Sequence, residues 1–324
     1  MAKGKSVSIY DIAADAGVSA GTVSRVINGH PAISDAVREK IIVASRQRGF
    51  IPRKRVGMIA VAVGEYSRLD FGYIDQAIAT LAKELKDHNY IMYLTDLNKV
   101  DFLQAISFDA VIGVIFEDDI ELLQRTFSPL PNLPVITINR PLNELGYHSF
   151  SIDHRMGARE ATEYLIRNGH RRIAFIEAKS SNMGARERLA GYQDALKNVG
   201  IEYNSEHTYY STETKLHDIV EHLKKDQITG VVNCSEDIAL DFSHYLTNIL
   251  KIRIPEDISV VTVEIGDIQR YMSPPQTVIQ QPLKTLIKMV VSELGYIIET
   301  KERCKLRNVI IESGIVERNS VAEI

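Results

Sequence analysis

The stretch SIYDIAADAGVSAGTVSRVIN, Ser8 to Asn28, constrains what this chain can become more than any other. Ile9, Ile12, Ala13 and Ala16 recur at helical spacing and share one face, and Ser8 with Asp11 makes an S-x-x-D start signal. A helix is predicted from about Ile9. Gly17 suits the left-handed position of a sharp turn, and Ser19 can cap a second helix that buries Val23, Val26 and Ile27. The open face of that helix then carries Ala20, Gly21, Thr22, Ser24 and Arg25, groups small, polar and basic enough to enter a DNA major groove. The pattern is a helix-turn-helix; the competing reading is that any three-helix unit shows such periodicity, and Gly21 costs about 1 kcal/mol relative to alanine in a helix.

Gly29-His30-Pro31 reads as a turn, and Ser34 can cap a third helix, DAVREKIIVASRQR, stopped by Gly49. Val37, Ile41 and Ala44 face inward in this reading, with Ile42 a further candidate. The run D-I-A-x-x-A-G-V-S-x-x-T-V-S-R-V-I-N, Asp11 to Asn28, resembles the N-terminal signature of the LacI/GalR family of bacterial transcription regulators. The resemblance implies that Arg25 makes the main base contact, that Ala20 and Gly21 lie close to base edges, and that Thr22, Ser24 and Asn28 meet phosphates. Ser8 and Ser34, at the starts of the flanking helices, are counted with this DNA-binding set.

The net charge of −4 hides an asymmetry. Residues 1–55 hold ten Lys or Arg against four acids, a net +6 that leaves −10 for the rest. A basic head on an acidic body suits a nucleic-acid binder whose body stays off the DNA. The resemblance departs at Phe50 to Gly57, FIPRKRVG, where the family carries a longer segment with a hinge helix that wedges the minor groove. Here that helix is read as deleted, which removes the basis for minor-groove intercalation and hinge-based coupling. Arg53, Lys54 and Arg55 can still touch phosphates; a solvated charge run is the competing reading.

From Val56 onward, β-branched runs alternate with helical patterns, the mark of parallel βαβ units. Strands are predicted at 57–63, 90–95, 110–116, 135–138, 172–177, 230–233, 259–263 and 308–312, and helices at 73–87, 156–168, 185–199, 212–225, 238–250 and 283–300. The fold class is α/β: a three-helix head, then a body of doubly wound parallel sheets. Ser151 to Ala178, Arg188 to Leu196, Ile254 to Ile265 and Ser273 to Pro282 also resemble the family in order and spacing. The resemblance implies a body like the periplasmic sugar-binding proteins. Residues 1–55 form the DNA-binding domain and 56–324 the effector-binding and dimerisation domain, with lobe one at about 56–155 and 283–314 and lobe two at about 156–281 and 315–324.

In doubly wound sheets ligands bind beyond the carboxyl ends of the strands, and two such lobes face each other across a cleft. That rule points to Gly64 to Tyr73, Asn139, Ser235 and Glu264. The resemblance adds Arg188, just ahead of L-A-G-Y, and gives Asn139, Ser235 and Glu264 polar effector roles. A carboxylate and a guanidinium each bind two hydroxyls, an amide gives and takes one, and Tyr66, Phe71 or Tyr73 can stack on a sugar ring. For Arg188 and Glu264 the competing reading is an ion pair or surface charge, and for the three aromatics it is core packing.

Neither G-x-G-x-x-G nor G-x-x-x-x-G-K-[ST] occurs at the first body strand, so no nucleotide cofactor is expected. The nine histidines are scattered, each read as surface or capping, and no H-E-x-x-H or G-x-S-x-G appears, so no enzyme is expected. Cys234 and Cys304 are read as two reduced thiols without a metal. No apolar signal stretch or membrane-length run is seen, and a cytoplasmic protein is expected. The expectation is a regulator, by resemblance most often a repressor, on a pseudo-palindromic operator. Its effector is a mono- or disaccharide; the alternatives are a nucleobase or nucleoside effector, and more remotely a cytoplasmic sugar-binding protein. It is expected to be a homodimer held through the body, because so small a head cannot hold one, and RNSVAEI after Glu317 is too short for the heptads of a tetramer.

Overall fold

The computed structural model describes residues 7–27, 33–48, 50, 57–64, 72–99, 107–116, 120–128, 130, 133–179, 182–264, 266–300 and 306–324. Asn28 with the Gly29–Pro31 turn, Gly49, Arg53, Lys54, Arg55, Tyr66, Phe71 and Cys304 lie outside them. Contacts divide the chain into two units, Met1–Gly57 and Met58–Ile324.

The first unit contains α1 (Ile9–Ala16), α2 (Ala20–Ile27) and α3 (Asp35–Gln47). Ser8 and Asp11 form a reciprocal box: Ser8 Oγ accepts from Asp11 N at 3.4 Å, and Asp11 Oδ2 accepts from Ser8 N at 2.8 Å. Gly17 adopts φ 64°, which returns the chain sharply and lets its N–H reach the Ala13 and Ala14 carbonyls. Ile12, Ala13, Val23, Val26, Ile41 and Ala44 make the core, and the Arg48 guanidinium grips the Asp15 carboxylate, with Nη2 to Oδ1 at 2.6 Å. Two local expectations fail. Ser34 stands before α3 in extended backbone but its side chain makes no capping bond, and Ile42 is 38% exposed because three helices this short enclose only one layer of side chains. Ser8→Ala should lower the stability of this unit by ~1 kcal/mol. An unchanged midpoint for its transition in chemical denaturation of the full chain would show that the box carries no weight.

The second unit is built on two six-stranded sheets. One has the order β11-β5-β4-β3-β1-β2, from β1 (Gly57–Val63), β2 (Tyr90–Asp96), β3 (Ala110–Val114), β4 (Val135–Ile138), β5 (His148–Ile152) and β11 (Asn308–Ile311). The other has the order β12-β10-β9-β8-β6-β7, from β6 (Ile173–Glu177), β7 (Thr208–Tyr210), β8 (Gly230–Asn233), β9 (Ser259–Val263), β10 (Thr277–Ile279) and β12 (Ile315–Val316). The strands β11, β5, β4, β3 and β1 of the first sheet, and β10, β9, β8, β6 and β7 of the second, pair in parallel, and β12 runs antiparallel to β10 at the edge. Side chains alternate across each sheet as the pleat requires. In β1, Ile59, Val61 and Val63 face α4 (Tyr73–Asp87) and α10 (Leu283–Thr300), while Ala60 and Ala62 face α5 (Ile120–Phe127). In the second sheet, Phe175, Val232 and Val261 pack on α6 (His154–Arg167) and α7 (Met183–Asn198); Ile176, Val231 and Val260 pack on α8 (Leu216–Lys225) and α9 (Glu236–His244).

Four strands, β5, β7, β10 and β12, and helix α5 are additional to the sequence reading. In β5, His148, Ser149 and Ser151 are buried polar residues, and Ser149 Oγ accepts from Thr137 Oγ1 at 2.9 Å and Leu142 N at 2.8 Å. Internal hydrogen bonds thus replace the apolar pattern a strand normally shows. Helix α8 begins at Leu216 rather than Thr212, because Ser211–Thr214 turn back onto Tyr210 and Ala178. Helix α9 starts at Glu236 and widens into a π-helical turn at Tyr245–Ile249. No helix among the described residues is long and apolar enough to cross a membrane.

Candidate functional site

In the head, α2 is held by its neighbours and by Ser19, whose Oγ accepts from Thr22 N at 3.1 Å. Gly21 and Arg25 are exposed, Thr22 and Ser24 are half-buried, and Ala20 is half-buried against the head core. The open face is therefore narrower than the helical spacing alone suggested. What it offers is a side-chain-free Gly21 with Arg25 one turn on, a shape that brings backbone close to a base edge and places a guanidinium beside it.

The second constellation lies at the carboxyl ends of the body's strands. Asn139 follows β4 in the left-handed region at φ 76° and is 5% exposed. Its Nδ2 donates to the Ile115 carbonyl at 3.1 Å, which leaves Oδ1 to accept from His154 Nε2 at 2.9 Å. His154 opens α6; its Nδ1 lies 3.5 Å from Arg188 Nη1 on α7. Arg188 Nε in turn donates to Glu177 Oε2 at 2.7 Å, and Glu177 Oε1 accepts from Ala178 N at 2.8 Å. A directed chain thus runs from the first sheet to the second. Each link fixes the next, because a guanidinium can only donate, so His154 Nδ1 accepts and Nε2 carries the proton.

His154 keeps some accessible surface. Burial first, then the neighbouring Arg188 charge, push its pKa down to about 3, so the ring is neutral. The two lobes also approach beyond β9, where a Cβ on Gly266 would stand 3.5 Å from Gln76 Oε1 on α4.

Ser235 follows β8, fully buried, its Oγ 2.9 Å from Ser211 Oγ. Glu264 follows β9, half-buried, its Oε2 accepting from Gln281 N at 3.1 Å; burial raises its pKa. Glu177, Ser235 and Glu264 therefore stand at the ends of adjacent strands β6, β8 and β9, which neighbour one another at about 4.8 Å in any sheet. Tyr73 is elsewhere: 6% exposed, it packs edge-on against Phe116 at 5.6 Å in the core of the first lobe and offers no ring face to a ligand.

Two residues of the chain, His154 and Glu177, were not singled out from sequence. Reading every histidine as surface or capping also fails at His148 and His170, which are 9% and 1% exposed. His170 is enclosed between Thr229 Oγ1 at 3.0 Å and the Ala322 carbonyl at 3.2 Å. The only signal available for Glu177 was an acid closing the apolar run IAFIE, where a buried strand normally ends in a neutral residue. Among the described residues no group of three or more His, Cys, Asp or Glu could hold a metal ion.

Residues 8–53 match the bacterial regulatory proteins of the lacI family, and residues 162–321 match the periplasmic binding protein-like domain. The HTH-type transcriptional regulator DegA of Bacillus subtilis (strain 168) is 26% identical over 299 residues, spanning 86% of this chain and 88% of DegA. The transcriptional regulator CelR in complex with cellobiose is 26% identical, with a TM-score of 0.70 over 97% of this chain and 99% of that one. The lac repressor dimer bound to operator and the anti-inducer ONPF is 23% identical and shares the fold, with a TM-score of 0.73 over 98% of this chain and 100% of that one.

Proposed function

The chain belongs to the LacI family of bacterial regulatory proteins, and on that premise we propose that it is a repressor whose hold on a pseudo-palindromic operator is set by a small sugar bound between its lobes. The observation that carries the DNA half is the α2 surface, exposed Gly21 and Arg25 on a capped helix with a packed back. One helix of this length reads a few base pairs, so a homodimer with two heads in successive major grooves doubles the site. Arg25 is the base-reading residue, with Ala20 and Gly21 beside base edges and Thr22, Ser24, Asn28, Ser8, Ser34 and the Arg53–Arg55 triplet serving the phosphate backbone. The protein works in the cytoplasm, where its operator is.

The sensing half rests on Asn139, His154, Arg188, Ser235 and Glu264, with CelR in its cellobiose complex as a relative of the same fold. These are hydroxyl-pairing groups, which favours a polyol. A ligand gripping both lobes would close them and alter the spacing of the two heads.

Selection of duplexes from a random pool by the full-length protein, repeated with and without cellobiose, tests both halves. Enrichment of a two-fold-symmetric sequence, changed by a sugar, is the expected result; enrichment of no sequence would defeat the reading. On the selected duplex, Arg25→Ala should cost ~1–3 kcal/mol and relax specificity at one position of each half-site. A footprint and specificity unchanged by that substitution would count against the orientation of α2.

A further inference from the structure

An acidic sugar entering the cleft would seek a cation, and the guanidinium of Arg188 is already committed. Its Nε donates to Glu177 Oε2 at 2.7 Å, and the two side chains retain only 16% and 2% of their exposure. Glu177 cannot swing aside cheaply: its second oxygen accepts from Ala178 N at 2.8 Å, and removing it would leave an unpaired charge out of water. Arg188 is steadied from the opposite side by the neutral His154 ring, itself anchored on Asn139. Two strands away stands a second carboxylate, Glu264.

We infer that Glu177 is a specificity-determining residue which, by neutralising Arg188, restricts the cleft to uncharged polyols and turns away uronates and sugar phosphates. The inference rests on the effector reading above. An anionic ligand meets a compensated guanidinium and the half-buried Glu264 carboxylate, whereas a neutral sugar can give its hydroxyl protons to Glu264. Selectivity is thus obtained largely through repulsion of the wrong class.

The test titrates the full-length wild type and Glu177→Gln calorimetrically with D-galacturonate, inorganic phosphate and cellobiose. The amide keeps the shape and the bond from Ala178 while freeing the Arg188 charge. Wild type should show no galacturonate or phosphate binding that depends on Arg188. Glu177→Gln should bind at least one of the two anions about tenfold or more tightly than wild type, the scale of one charge-assisted bond. The double variant Glu177→Gln/Arg188→Gln should lose that gain.

Arg188-dependent anion binding by wild type, or no gain in a folded Glu177→Gln, would overturn the inference. If the single variant does not fold, the 15Nε resonance of Arg188 in wild type decides: displacement by galacturonate or phosphate overturns the assignment, and constancy supports it. Failure of cellobiose and other neutral sugars to bind wild type would defeat the sugar reading alone, since the anion comparison does not depend on it.

Discussion

Gly191→Ala should destabilise the body by ~3 kcal/mol or more, the high end for overpacking, because the atoms it meets are backbone. A Cβ at this position would stand 2.1 Å from the Arg155 carbonyl oxygen and 3.0 Å from Arg159 N, so no rotamer change can relieve the clash. Helices α6 and α7 would have to separate, pulling Tyr192, Ala195 and Leu196 away from Ala161 and Leu165 in the core they share. The Arg155–Asp194 ion pair at 2.7 Å spans the same crossing. His154 and Arg188 ride on these two helices, so effector affinity should weaken along with stability. Denaturant midpoints of wild type and variant measure the effect, and a shift below ~1 kcal/mol would mean the two helices can separate at little cost.

Acidification should erode stability between about pH 6.5 and pH 3 through His154. Its folded pKa lies at about 3 against an ordinary 6.5, because burial and Arg188 oppose the imidazolium. In that window the unfolded chain takes up a proton that the native protein refuses, so stability is complete above the unfolded pKa and is lost as pH falls. One such proton contributes a slope of up to ~1.4 kcal/mol per pH unit; solvent at the partly accessible ring reduces the total to on the order of 2 kcal/mol. His148 and His170, both lowered chiefly by burial, act in the same direction. His154→Gln offers the same donor and acceptor without titrating, so its stability should fall less steeply across the window. Identical pH profiles for the two proteins would show that His154 is protonated as readily folded as unfolded.

The head was legible because its determinants are local. The Ser8–Asp11 box, the left-handed Gly17 and the Ser19 cap each act within a few residues, and each occurs where its spacing placed it. Ser34 misled because a serine before a helix is only a capping candidate; whether its hydroxyl turns inward depends on contacts from outside the segment. In the body, β1, α4 and α10 coincide with the sequence reading residue for residue, since long apolar periods leave little choice. Strand β5 was invisible because its buried serines are satisfied by Thr137 and Leu142, partners that only the folded chain supplies.

The candidate site divides in the same way. Strand-end geometry, applied to sequence, reaches Asn139, Ser235 and Glu264, because the carboxyl end of a strand can be read from the strand itself. It could not reach the His154 link or the Glu177–Arg188 pair, whose members come from different helices and strands. Burial turned one histidine into a neutral donor, and Glu177 turned one arginine into a compensated charge.

By itself, then, the order of residues determined the three-helix head and the alternating α/β pattern of the body, because periodicity and short-range hydrogen bonding are properties of neighbours along the chain. Tertiary structure alone decided which charges cancel, which polar groups are enclosed and where helices touch backbone to backbone. Those outcomes depend on distances between segments far apart in sequence, and on the loss of water around them.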